Sequence, residues 1–215
     1  MDSNQRYKRL RRLVKKLNIE RKKQAKKTDI LCNDLIAAQR DFIKRLDVVS
    51  FAANLYESIV GTTDLGTLLN TGGRIIEQEI PGANVAFFLR RTQNFELHMV
   101  ESRRPLTLAK DDIKNSFTPE LVDNVCRLNK ICTLNDMFAM GLQGNLTKFK
   151  EISVAAIPLG RQGSSLGFML LSRSSQQQLQ PENLTKAMAI VPGLSRAISS
   201  CQALLGYAKF PQINS

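Results

Sequence analysis

The sequence has little of what most enzyme and metal sites are built from. Its 215 residues include a single histidine, His98, and no tryptophan. The four cysteines, at positions 32, 126, 132 and 201, form no Cys-x-x-Cys pair, which excludes a Cys/His zinc site of standard spacing. GxSxG, HExxH, the phosphate-binding loop and GxGxxG after a strand are all missing. From these absences we predict that the protein is not an enzyme.

Long hydrophobic runs are missing too. No stretch of about 18 or more apolar residues exists, so we expect no membrane-spanning helix. The opening MDSNQRYKRLRRLVKK lacks the apolar core of a secretion signal, and scattered cysteines are typical of reduced thiols. These features predict a cytoplasmic protein.

Acidic residues are scarce at one end of the chain. Residues 1–27, here called the basic arm, hold 12 Lys/Arg and 2 Asp/Glu, whereas the other 188 residues hold 19 and 17. The net charge of +12 therefore belongs almost entirely to the arm. The cations are Arg6, Lys8, Arg9, Arg11, Arg12, Lys15, Lys16, Arg21, Lys22, Lys23, Lys26 and Lys27.

Several partners fit such an arm. The first-ranked interpretation is that the arm is a solvated coiled-coil face or binds an acidic partner protein. Binding to the phosphate backbone of a nucleic acid ranks second, and binding to an anionic membrane ranks third. A basic helix that leads into heptads is also the layout of basic-zipper DNA binders, but the Asn and Arg spacing that reads bases is not evident.

Residues 6–60 contain neither proline nor glycine, which predicts one long helix. Apolar residues recur at heptad spacing, with an interruption at Arg45, and predict a dimeric coiled coil. A parallel arrangement of its two helices is favoured. Leu10, Leu13 and Leu17 follow an earlier register, and a four-residue stutter near Gln24 would join the two. The predicted dimer seam comprises Leu31, Leu35, Ala38, Phe42, Val49 and Tyr56.

Beyond Gly61 the pattern changes to alternating strands and helices. We predict a helix over 64–80, a hairpin from strands 84–91 and 95–101, a short helix from Pro119 to Leu128 and a short strand over 131–134. A second hairpin, from strands 152–159 and 165–172, and a helix over 181–206 follow. Residues 102–117 and 135–150 are expected to be irregular. The order predicts an α+β domain, an antiparallel sheet with helices packed on one face.

The runs TDLGTLLNTGGRIIEQEIPGANVAFFLRRTQNFELHMV, KEISVAAIPLGRQGSSLGFMLLSR and LTKAMAIVPGLSRAISSCQALLGYA resemble the opening, the second strand pair and the closing helix of a GAF domain. The PAS fold is the alternative. The expected organisation is a basic helix and coiled coil over 1–60, a GAF-like domain over 61–208 and a tail over 209–215. The resemblance implies a sensor or regulatory module and places any ligand pocket between the sheet and the 102–150 connection. The candidate lining is Arg103, Phe117, Cys132, Met137, Phe138 and Met140.

The resulting functional hypothesis is a dimeric signalling module that relays or scaffolds a signal to a partner protein. No ligand or cofactor can be assigned from the residues. A nucleic-acid-associated protein held by the basic arm is the alternative. A redox role of Cys126 or Cys132 ranks last, because nothing nearby guarantees a lowered thiol pKa.

Overall fold

The computed structural model describes residues 3–91, 94–100, 110–144, 149, 151–161 and 164–208. The chain divides into two compact units between Asp47 and Val48. The sequence placed this division at Gly61. The structure places it earlier because Phe51, Leu55 and Ile59 are buried in the second unit.

The first unit consists of helix α1, which runs from Ser3 to Ile59 and so continues into the second unit. Every residue from 3 to 47 is exposed. The predicted long helix is therefore present, and its ends lie within three residues of the expected ones. None of the described helices is long and apolar enough to cross a membrane.

The second unit is built on a five-stranded antiparallel sheet. Its strands are β1 (Asn84–Arg90), β2 (Phe95–Met99), β3 (Cys132–Thr133), β4 (Ile152–Arg161) and β5 (Ser164–Ser174), in the order β2-β1-β5-β4-β3. The helices are α2 (Leu65–Glu79), α3 (Lys110–Ser116), α4 (Pro119–Leu128), α5 (Leu134–Ala139) and α6 (Pro181–Ala208), with a 3₁₀ turn at Ser175–Gln177. Both predicted hairpins and the α+β class are confirmed.

Side-chain caps fix where the helices begin. The Asp64 carboxylate accepts a hydrogen bond from the Thr67 N–H at 2.7 Å and starts α2. The Thr118 hydroxyl accepts from the Leu121 N–H, with Pro119 in the first turn of α4. A reciprocal capping box between Thr133 and Asp136 starts α5.

Helices cover the first face of the sheet as the sequence predicts. The last turns of α1 together with α2 and α6 bury side chains against alternate strand residues such as Val85, Phe87 and Met169. An ion pair between Lys186 and Glu79 joins α6 to α2. The C-terminal turns of α1 are therefore part of the domain core.

The opposite face of the sheet is also covered, which extends the predicted two layers to three. Alternate residues there, including Ala86, Phe88 and Phe168, pack under α3, α4 and α5. The rings of Phe88 and Phe168 stack with centroids 4.6 Å apart. Because β1 and β5 are apolar on both sides, both faces must be removed from water. Helices α3 and α5 occupy stretches that the sequence left irregular.

The free edge of β4 is partly closed. β3 pairs with β4 only at Ala155 and Ala156, so the following β4 residues pair with β5 on one side and have no described strand on the other. Pro158 has no N–H to offer at this edge, and the Gly160 N–H donates to the Ser195 hydroxyl at 2.9 Å.

Candidate functional site

The predicted dimer seam is largely open to solvent in the single chain. Leu35 is 69% exposed and Phe42 is 61% exposed. Leu31, Ala38 and Val49 are exposed as well. Large apolar side chains in one row of a polar helix are costly to leave in water.

Tyr56, the last seam position, lies inside the second unit instead. Its hydroxyl donates a hydrogen bond to the Ala189 carbonyl at 3.0 Å, and its ring packs against Gly193 of α6. Sequence periodicity did not separate this position from the exposed ones, because a seam and a core face both require an apolar residue. Tyr56 therefore ties α1 to the closing helix.

The predicted pocket residues form a packed core. Phe117, Cys132 and Met137 are buried in the cluster between the sheet and the short helices, and Phe138 and Met140 pack against it half-buried. Arg103 lies outside the described residues. The structure thus brings five of the six candidates together in one buried cluster.

The thiols of Cys126 and Cys132 are buried in this core. Burial raises the pKa of Cys126 and also that of Cys132, whose thiol lies 3.4 Å from the Lys130 carbonyl. Both cysteines are free. A raised pKa leaves little thiolate at neutral pH, so this environment favours packing over redox reactivity.

A groove of about 740 Å³ lies between α6 and the β4–β5 hairpin. Its floor includes Val191 and Leu166, and its polar groups include Arg196. The described part of the chain offers Arg196 no acidic partner. Sequence reasoning missed this groove. The groove is lined by Gly160, Ser164, Leu166, Val191, Pro192, Ser195, Arg196, Ser199 and Ser200.

His98 is half-buried. Its Nε2 lies 3.3 Å from the Asn70 Oδ1 of α2. It borders a cavity of about 150 Å³ together with Arg91 and Glu96, which form an ion pair. Within the described ranges, no cluster of His, Cys, Asp and Glu side chains could hold a metal ion.

The basic arm is exposed throughout its described length. Lys23 pairs with Glu20, with 3.3 Å between Nζ and Oε1, and most of the remaining cations face solvent. An exposed ion pair contributes little to stability. The arm is therefore a concentrated positive surface.

Comparison with solved structures shows a GAF-like fold. The GAF domain of a phosphoenolpyruvate-protein phosphotransferase from Coxiella burnetii superposes with a TM-score of 0.56 at 12% identity, covering 75% of this chain and 98% of that one. The corresponding domain from Acinetobacter gives 0.53 at 13% identity, covering 77% and 97%. No protein-family model matches the sequence, and no curated protein is similar to it in sequence.

An enzyme shares the fold as well. Free methionine-R-sulfoxide reductase from Neisseria meningitidis, solved with its substrate, gives a TM-score of 0.52 at 13% identity and covers 73% of this chain and 91% of that one. The prediction from missing motifs that this chain is not an enzyme is therefore wrong. A protein of this fold performs catalysis, so the absent motifs exclude no enzyme of this architecture. At this identity the likeness shows the fold alone.

Proposed function

We propose that the protein is a dimeric sensor or regulatory module in which a GAF-like domain is coupled to a coiled coil formed by α1. The supporting observation is the exposed apolar row of Leu31, Leu35, Ala38, Phe42 and Val49 on the helix that also supplies Phe51, Leu55 and Ile59 to the domain core. Two copies that pair through this row would remove it from water.

Coupling in such a dimer follows from the anchoring of α1. Phe51 and Leu55 lie in the same buried cluster as residues of α2 and α6. A change in the packing of this cluster shifts the last turns of α1, and a dimeric helix passes rotation or register on to a partner. The output is a partner signalling protein that reads the state of the coil.

The input side of the proposed module is the layer of short helices over the second face of the sheet. Met137, Phe138 and Met140 give this layer adaptable side chains, and α3 and α5 are only 7 and 6 residues long. Short helices with few internal hydrogen bonds open at low cost, so a small ligand could enter there.

A reducing compartment such as the cytoplasm fits the proposed module. All four cysteines are free, and three of them are buried as thiols. A protein that matured in an oxidising compartment would more often carry them as disulfides.

The dimer is tested by analytical ultracentrifugation of the full-length protein at micromolar concentration. We expect a dimer for the wild type and a monomer for the double variant Leu35→Lys, Phe42→Lys, because like charges would face each other across the seam. The matched control is Ile36→Lys, Ile43→Lys, which changes two exposed apolar residues one position further round the helix. A monomeric wild type would contradict the dimer, and equal dissociation of both variants would contradict the assigned seam.

The ligand is tested by native mass spectrometry of the gently purified protein. A fixed extra mass that disappears in the double variant Phe138→Ala, Met140→Ala supports an input site in the short-helix layer. An extra mass that this variant retains contradicts that location. A dimer without extra mass removes the ligand from the proposal and leaves the dimer standing.

A further inference from the structure

The first turns of α1 have two distinct faces. Tyr7, Leu10, Leu13, Val14 and Leu17 follow the three- and four-residue spacing of one helical face. All five are exposed, from 51% for Val14 to 69% for Leu17. This apolar face is separate from the predicted dimer seam, which begins at Leu31.

Three of the seven cations in this segment lie on the face opposite the apolar one, and the others lie around the helix. Lys8, Arg12 and Lys15 follow each other at spacings of four and three, which puts them opposite Leu10 and Leu13. Residues 3–17 contain seven Lys/Arg and no Asp or Glu. The segment is therefore a strongly basic amphipathic helix, here called the arm helix and defined as residues 6–17.

A second copy of the chain does not suit this surface. Parallel pairing would bring two sets of cations together with no carboxylate in either segment to offset them. Glu20 and Gln24 replace apolar residues on the side of the helix that would have to continue the contact toward the seam. The predicted dimer seam, which begins at Leu31, therefore does not extend back into the arm helix.

The apolar face also decides between a nucleic acid and a lipid. Binding to a phosphate backbone uses cations and leaves a row of leucines in water. A lipid surface with anionic headgroups uses both faces, because leucines enter the acyl boundary while lysines and arginines reach up to the headgroups. Tyr7 adds the aromatic side chain that is favoured at that depth.

We propose that residues 6–17 bind the surface of a membrane rich in anionic lipid, with the helix lying in the plane of the interface. The segment is about 18 Å long, which suits an interfacial helix and is too short for a span. The charge provides attraction at a distance, and the apolar face provides the depth of insertion. This function is independent of what the GAF-like domain senses.

The test is co-sedimentation of the full-length protein with vesicles. Phosphatidylcholine vesicles with added phosphatidylglycerol are compared with pure phosphatidylcholine at about 0.1 M salt. We expect binding only to the anionic vesicles. The triple variant Lys8→Gln, Arg12→Gln, Lys15→Gln should bind about 100-fold more weakly, since each cation near such a surface contributes about fivefold.

A second triple variant, Leu10→Ser, Leu13→Ser, Leu17→Ser, keeps every charge. We expect it to lose vesicle affinity by about tenfold or more and to keep the melting temperature of the GAF-like domain, because all three positions are exposed. Equal vesicle binding by this variant and the wild type would overturn the proposal. So would a wild type that ignores anionic vesicles but binds a DNA duplex equally well with and without the leucines, which would assign the arm to nucleic acid.

Discussion

The contact between α1 and α6 can be tested by adding a single methyl group. A Cβ placed on Gly193 would lie 2.0 Å from Cε1 and 2.5 Å from Cζ of the Tyr56 ring. Overpacking of this kind costs about 1–3 kcal/mol, whereas replacing a helical glycine by alanine gains about 0.5–1 kcal/mol. We expect Gly193→Ala to lower the free energy of unfolding by about 1–2 kcal/mol. For a chain of this size, that corresponds to a melting temperature about 2–8 °C lower.

A matched glycine separates the clash from the general effect of the substitution. Gly72 lies within α2, and a Cβ there would be 3.6 Å from Leu194 Cδ1, an ordinary contact. Gly72→Ala should therefore stabilise the protein by about 0.5–1 kcal/mol. In a Tyr56→Ala background, Gly193→Ala should become neutral or stabilising as well. If thermal melts followed by circular dichroism show Gly193→Ala stabilising the wild type as Gly72→Ala does, the described packing of Tyr56 is refuted.

Two further predictions concern titratable groups. Cys32 is exposed and the other three cysteines are buried. A thiol reagent should therefore modify Cys32 rapidly and the other three only when the protein unfolds. Rapid reaction of two or more thiols in the native protein would contradict this. The hydrogen bonds from Thr67 lower the pKa of Asp64 below its ordinary value of 3.8, so its contribution to stability is present above that pH and is lost as the pH falls through the lower folded pKa. The melting temperature of Asp64→Ala should therefore lie below that of the wild type at neutral pH and approach it in acid, and a gap that stays constant with pH would refute this cap.

Much of the fold follows from the sequence because the strongest signals are local. The helix free of glycine and proline, the two hairpins and the Thr118-Pro119 helix start all agree with the observed elements. Helix α3 was missed because KDDIKNS has one apolar residue, Ile113, and so shows no periodicity. Helix α5 was missed although Thr133 and Asp136 carry the spacing of a capping box, because Gly141 and Gly144 favoured a loop.

The candidate site was less accessible to sequence reasoning. Phe117, Cys132 and Met137 do lie together, but the sequence could not show that they share one buried cluster with Phe88 and Phe168 of the sheet. The groove beside α6 is lined by residues as far apart in sequence as Leu166 and Arg196, a long-range relation that periodicity does not encode. The prediction that the chain is not an enzyme was wrong for a similar reason, since catalysis in this architecture does not require the motifs that were searched.

The partly closed edge of β4 bears on how the molecule can associate. An open sheet edge recruits strands from other chains, which leads to fibres or to strand exchange. Here Pro158 has no N–H and so interrupts the row of backbone donors. The Gly160 N–H already donates to the Ser195 hydroxyl. A strand from another chain would lack hydrogen-bond donors at Pro158 and Gly160 if it paired with this side of β4. Self-recognition at this edge is therefore discouraged.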